Sequence, residues 1–324
     1  MRSHRIPVAA GRLTNLALAV LLTLAFATGW IAFELSGQPG RAVLLVHAAA
    51  GVAIVLLVPW KSLIARRGVR RRHAMRWASA VLGIGVVISI VFGVLHSAGR
   101  PDVGYLTAMD FHVGAAICVM PFFVWHVVAR PLRLRAADAS RRNFLKGAAM
   151  LGAAALGVAA LPSARRAPTG SFASAYPVAT QWMFDGVPEL DAQSWALQAG
   201  GRRWTFDEVA AFDDRLSATL DCTGGWYTEQ EWGGVLLSRL LHGAVGGSSV
   251  IVRSATGYSR RFAIEEAGRI LLATRVAGGL LQAGNGFPAR LVVPGQRGLA
   301  WVKWVVAIET DDAPWWWQPP FPLQ

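Results

Sequence analysis

Charge is scarce in this chain. Asp, Glu, Lys and Arg make up 16% of its 324 residues, while apolar types make up 54%. That balance excludes an ordinary soluble globular protein, in which about a quarter of the residues are charged. Acid is scarcer still in the first half. Residues 1–167 hold 4 Asp and Glu beside 20 Lys and Arg, a net of +16, whereas residues 168–324 hold 15 and 12, a net of −3. The basicity is therefore local, and no nucleic-acid partner is expected from it. Cysteine is almost absent. Cys118 sits inside an apolar run and Cys222 in a glycine-rich loop, so a disulfide framework is excluded. A basic, apolar first half and a mildly acidic second half describe a membrane module joined to a soluble domain.

The first half has long hydrophobic runs instead. Residues 13–33, 41–60, 77–95 and 111–129 are each about as long as a bilayer core requires. Residues 147–161 form a fifth, shorter, alanine-rich run. Seven basic residues and no acid fall in 61–76, and six basic residues against one acid in 130–146. The positive-inside rule puts these loops and the N-terminus in the cytoplasm, so five crossings place the second half outside the cell membrane. The segment Ser140-Arg141-Arg142-Asn143-Phe144-Leu145-Lys146 resembles a twin-arginine export signal set inside the chain. That resemblance implies export of a domain already folded around its cofactor. Cleavage near Leu161-Pro162-Ser163-Ala164 would detach the soluble half, so the fifth run is read as a retained anchor.

His47, His73, His96, His112 and His126 lie in or beside the apolar runs. An ionisable side chain within a span is a functional candidate. His112 and His126 are separated by about 40° of azimuth and about 21 Å of rise on one helix, so both face one interior, near opposite surfaces. His47 opens the second run at the depth of His112. Small residues, Ala48 to Gly51 and Gly114, stand beside them. This layout is similar to the membrane cytochrome b class, in which neutral imidazoles bind haem iron. The resemblance implies haem b, one or two, with His47 and His112 as axial ligands of an outer site. His126 is the candidate for an inner site, with His73 as its nearest imidazole, because Lys61 stands where symmetry would put a histidine. Polar packing between helices is the alternative for each, most of all for His73 and His96.

In the second half, residues 195–199 alternate as a strand, Gly200-Gly201 mark a turn, and Thr205 is a candidate cap for a short helix. A strand at 216–220 leads into Cys222, and 235–242 reads as a helix. Further strands fall at 248–253, 258–264, 270–274, 289–293 and 301–308. Many strands with few helices indicate an α+β domain. The expected architecture is multi-domain. An all-α transmembrane bundle of four helices occupies 1–135. The export-like signal, fifth anchor helix and linker occupy 136–170, and the α+β domain occupies 171–324. Trp315-Trp316-Trp317 reads as an interfacial anchor, a docking element or plain packing. From its residue type alone, Cys222 is either a spare thiol or a ligand for a soft or redox metal.

The second half resembles the molybdopterin-binding domain of the sulfite oxidase family. The resemblance rests on Leu220-Asp221-Cys222, on Trp232-Gly233-Gly234-Val235-Leu236-Leu237 and on Ser254-Ala255-Thr256-Gly257-Tyr258. It is strongest in Asn285-Gly286-Phe287-Pro288-Ala289-Arg290-Leu291-Val292-Val293-Pro294-Gly295 with Val302-Lys303-Trp304. It implies that Cys222 is the protein thiolate on molybdenum and that Asn285 and Arg290 bind the pterin and its phosphate. Lys303, Trp301 and Val302 would also contact the cofactor, Ser254 would lie near the pterin, and Trp226 and Tyr227 would shape the substrate pocket. Sulfite-oxidising members follow the cysteine with Asn and Arg. Here Thr223-Gly224-Gly225-Trp226 follows, and the next arginine is Arg239. The loop is more similar to the periplasmic methionine sulfoxide reductase branch.

The expected activity is that of a membrane-anchored, extracytoplasmic molybdopterin-dependent oxidoreductase. It would take electrons from membrane quinol through haem b and reduce a small S- or N-oxide. Two alternatives remain open at this point. One is a dehydrogenase delivering substrate electrons to the quinone pool. The other is a metal-free binding domain on a membrane anchor.

Overall fold

The computed structural model describes residues 8–69, 76–99, 102–103, 106–129, 135, 138, 140–159, 166–178, 186–242 and 246–318. The chain divides into two compact units, Met1–Ala32 with Gln38–Ala164, and Phe33–Gly37 with Arg165–Gln324.

The helical region comprises α1 (Val8–Glu34), α2 (Gly37–Val69), α3 (Arg76–Ser97), α4 (Ala108–Ala129) and α5 (Arg141–Ala159). A two-stranded hairpin, β1 (Asp102–Val103) and β2 (Leu106–Thr107), precedes α4. Among the described residues, four segments are long and apolar enough to cross a membrane: Gly11–Glu34, Gly37–Ala65, Trp77–Ser97 and Ala108–Ala129. Their outward faces carry Ile84, Val94, Val124 and Val128 in exposed positions. Such a surface suits lipid, where helices satisfy every backbone polar group internally. Small residues Ala49, Ala50, Ala53 and Ala78 are buried on the inward faces. Helix α5 forms where the fifth run was expected, but it is not among the four spans.

The second unit is a mixed α/β domain of two sheets. The first is built on β7 (Trp226–Leu236), flanked antiparallel by β6 (Asp214–Asp221) and β10 (Leu271–Val276). The short β3 (Phe172–Ala173) pairs parallel with the start of β7. The strands β11 (Gly279–Leu280) and β12 (Arg290–Val292) both pair with β10. The second sheet runs β5 (Arg202–Thr205), β4 (Ala196–Ala199), β13 (Val305–Asp311), β8 (Ser249–Ser254) and β9 (Ser259–Ala263) in that order. A single apolar core contains residues of both sheets, with Trp232, Leu237, Leu272, Leu291, Trp301 and Ile308 nearly inaccessible. Gly200 and Gly201 take φ of +59° and +73° in the β4–β5 turn, as the pair predicts. Thr205 caps α6 (Phe206–Ala210) in a reciprocal capping box with Glu208.

Two expectations fail. Residues 235–242 are not one helix: β7 runs to Leu236, and only one turn, α7 (Leu237–Leu240), follows. Gly234 explains the strand. A Cβ on Gly234 would lie 2.0 Å from the Leu272 carbonyl oxygen, so only glycine lets β7 and β10 approach here. A continuous apolar run fits a buried strand as well as a helix. The last strand also starts later than expected, at Val305, because Trp304 has a φ of +53° that breaks extension.

Candidate metal and cofactor sites

Cys222 occupies the tip of the β6–β7 hairpin. The last ladder pair is Asp221 with Tyr227. The Cys222 N–H donates to the Trp226 carbonyl at 2.8 Å, and the Gly225 N–H donates to the Cys222 carbonyl at 3.1 Å. Gly225 takes φ +88°, which closes the turn. The half-buried sulfur accepts the Gly224 N–H at 3.4 Å.

A second loop brings Asn285, Arg290 and Lys303 together. Gly286, at φ +104°, makes this possible: a Cβ there would lie 2.9 Å from that of Arg290 and 3.2 Å from that of Lys303. The Arg290 guanidinium lies over the rings of Trp232 and Trp301, at 5.3 and 5.6 Å. It is 2% exposed and donates from one terminal nitrogen to the Asn285 carbonyl at 3.1 Å. Its Nε has no acceptor, and no carboxylate pairs with it among the described residues. Burial pushes its pKa down to about 10, partly offset by the Cys222 charge. Asn285 donates to the Pro177 carbonyl at 3.3 Å, and its buried Oδ1 has no donor. Lys303 Nζ donates to the Gly284 carbonyl at 2.8 Å. A buried guanidinium with no counter-charge is costly unless an anion reaches it. These donors fit a phosphate-bearing group, and the nearby thiol fits a soft redox metal.

Other expected residues are placed differently. Val302 has both backbone groups engaged, the carbonyl by the Leu291 N–H at 2.7 Å and the N–H by the Ala300 carbonyl at 3.1 Å. The Trp301 indole donates to Gln296 at 3.1 Å. Both residues build the wall of the site rather than offer donors to it. The Ser254 hydroxyl bonds within its own turn, to Thr256 at 3.0 Å. Trp226 belongs to the apolar core, and alternation along β7 turns Tyr227 to the opposite face. His242 is exposed.

Sequence spacing missed an arginine beside the cysteine. Arg297 comes from the loop before the short turn Gly298–Ala300 and donates to the Asp221 carboxylate at 3.3 Å and the Cys222 carbonyl at 3.0 Å. Asp221 also accepts from Thr169 Oγ1 at 2.5 Å and Ser171 Oγ at 2.6 Å. The one sequence signal was an acid directly before the cysteine.

In the helical unit, the rings of His47 and His112 lie 5.7 Å apart at 87°. Each Nδ1 reaches a backbone carbonyl, Ala25 at 2.8 Å and Ser89 at 2.7 Å. A neutral imidazole donating from Nδ1 keeps its lone pair at Nε2, which suits a metal ligand. The glycines that make room are on the neighbouring helices. A Cβ on Gly29 would lie 3.1 Å from the His47 ring, and one on Gly93 would lie 2.9 Å from His112 Nδ1. His126 Nδ1 lies 3.2 Å from Ser79 Oγ, and Lys61 donates to Asn15 at 2.9 Å. His96 is buried. His73 lies outside the described residues. No cluster of three or more His, Cys, Asp or Glu forms among the described residues.

Residues 184–317 match the family model of the oxidoreductase molybdopterin binding domain. No curated protein sequence matches the chain. Among solved structures, the sulfane dehydrogenase SoxCD from Paracoccus pantotrophus is similar at 28% identity and a TM-score of 0.37, over 40% of this chain and 41% of its own. The chain thus spans less than half the length of that solved relative. The family match is confined to residues 184–317, the stretch that holds Cys222, Asn285, Arg290 and Lys303.

Proposed function

We propose that this protein is a membrane-anchored, quinol-dependent reductase of S- or N-oxides. Cys222 would hold molybdenum, while Asn285, Arg290 and Lys303 would hold the pterin and its phosphate. The observation that carries this reading is Arg290, a fully buried guanidinium without a carboxylate, close enough to Cys222 to feel its charge, inside a matched molybdopterin domain. When bound, molybdenum supplies two-electron oxygen-atom chemistry. The chain's own contributions are positional. Gly224 holds the sulfur, Arg290 supplies a fixed positive charge on an aromatic floor, and the packed Trp232 and Trp301 exclude water behind it.

His47 and His112 fit one haem, through their facing rings and the carbonyl-anchored Nδ1 atoms. When bound, haem supplies single-electron transfer. The inner site is weaker, since Lys61 is occupied by Asn15 and His126 faces Ser79. One haem is the proposed stoichiometry. The orientation with the second half outside the cell membrane, and α5 as a fifth crossing, belong to the same proposal and rest on the distribution of arginines.

The test is metal and haem content on the intact purified protein, followed by kinetics. One molybdenum and one haem b per chain are expected. Dithionite-reduced haem should reoxidise on addition of a sulfoxide, and Cys222→Ala should abolish both reoxidation and molybdenum. Full molybdenum in Cys222→Ala overturns the site. Reduced haem that no S- or N-oxide reoxidises overturns the direction.

A further inference from the structure

Asp221 is a buried carboxylate placed directly before a sulfur that must also carry negative charge to bind metal. Two neighbouring anions repel, so a carboxylate here needs its charge dispersed away from the sulfur. Its oxygens accept from Thr169 Oγ1, Ser171 Oγ and Arg297. Arg297 ties this network to the cysteine itself by donating from the same nitrogen to the Cys222 carbonyl at 3.0 Å. The adjoining residue presses on the loop as well: a Cβ on Gly298 would lie 3.1 Å from Cys222 Cα and 3.4 Å from the Asp221 carbonyl oxygen. Behind the hydroxyls, β3 is stitched to the hairpin. The Phe172 N–H donates to the Gly225 carbonyl at 2.9 Å, and the Ser174 N–H to the Tyr227 carbonyl at 2.8 Å.

Three separate stretches, around 169–174, 221–227 and 297–298, thus converge on one backbone position. We infer that Asp221 and Arg297 are positioning residues for the Cys222 sulfur, and that Thr169 and Ser171, in the stretch following α5, complete this clamp. The inference rests on Cys222 being the molybdenum ligand. It also gives Arg297 a role other than substrate binding. One terminal nitrogen of Arg297 serves both the Asp221 carboxylate and the Cys222 carbonyl, so its charge is balanced by Asp221 while it holds the loop. Groups that orient a metal ligand from outside its coordination sphere govern metal affinity and activity by about 10–100-fold.

The full-length protein is compared with its Asp221→Asn, Arg297→Met, Ser171→Ala and Thr169→Val variants. Arg239→Met, which removes the remote pair with Asp214, is the control. In cofactor-free protein, amide exchange of the peptide covering 222–226 is expected to speed up about tenfold in Asp221→Asn and Arg297→Met, and less in the two hydroxyl variants. In loaded protein, the Mo(V) electron paramagnetic resonance g-values should shift while molybdenum content is retained, and turnover should fall about tenfold or more. Wild-type exchange at 222–226 together with wild-type g-values overturns the clamp. An equal increase in Arg239→Met overturns it too, because the effect would then be general loosening. If an ion-pair variant does not fold, the hydroxyl variants decide: unchanged exchange in both overturns the inference. A wild-type protein without molybdenum removes the metal reading, while the exchange measurement still decides the clamp.

Discussion

Arg290 shows how a single residue can record an absent partner. Burial lowers its pKa from 12.5 to about 10, a cost to the cofactor-free fold on the order of 3 kcal/mol. The sign follows from the folded state being the one that releases its proton more easily. The cost is present at every pH below about 10 and is relieved as pH rises from there toward the unfolded value. An uncharged side chain of similar length escapes it. Arg290→Met is therefore expected to raise the melting temperature of the cofactor-free protein at neutral pH, while molybdenum retained per chain falls about tenfold. A residue that merely stabilised the fold would lower both. Calorimetry on cofactor-free protein, paired with elemental analysis of the loaded form, separates the two. At the same scale, Gly93→Ala would drive a Cβ to 2.9 Å from His112 Nδ1. It is expected to abolish the absorption bands of the proposed haem b and leave molybdenum content unchanged, since His112 and Cys222 lie in different units.

At the scale of elements, much was legible in the sequence where local chemistry decides the outcome. Four spans, the Gly200-Gly201 turn, the Thr205 cap and the strand entering Cys222 all follow from side-chain type and neighbours. What could not be read depends on distant contacts. Residues 235–242 read as a helix, but Gly234 serves the close approach of β10, where the pairing register also shifts between Ala273 and Arg275. Arg297 sits 75 residues from the carbonyl it holds, and no spacing rule links it to Cys222. Gly29 and Gly93 were unreadable for the same reason, because the glycines that fit the histidines stand on other helices. Asn285, Arg290 and Lys303 were found as motif residues, and their convergence on Gly286 became visible only in space. The β7–β10 contact carries its own expectation. Gly234→Ala should destabilise the second unit by at least the upper end of about 1–3 kcal/mol, measured by denaturant unfolding of the full chain. A change within experimental error would mean that the strands can separate without cost.

At the scale of the whole molecule, two cysteines allow a direct test of topology. Cys118 is exposed on α4, one of the four apolar spans, and Cys222 lies in the second unit. In spheroplasts whose exported protein has been stripped of its cofactor, a membrane-impermeant maleimide is expected to label Cys222 and spare Cys118. Labelling of Cys222 only after membrane rupture would reverse the proposed orientation. A basic first half and an acidic second half, the asymmetry visible in composition, would then need another explanation.

The network beneath Cys222 also bears on the order in which the protein is finished. The β6–β7 hairpin pairs residues close in sequence and can form early. The bonds that fix its tip span 50, 52, 75 and 76 residues, so they close only after the distant loops have docked. A half-folded chain would therefore display the thiol on a loose hairpin, without Arg297 behind it or Arg290 on its aromatic floor. Loading a cofactor into such an intermediate would be weak and reversible. Tight capture would then be a signal that folding is complete, and on the proposed export route a loaded chain would in effect have been inspected before it leaves.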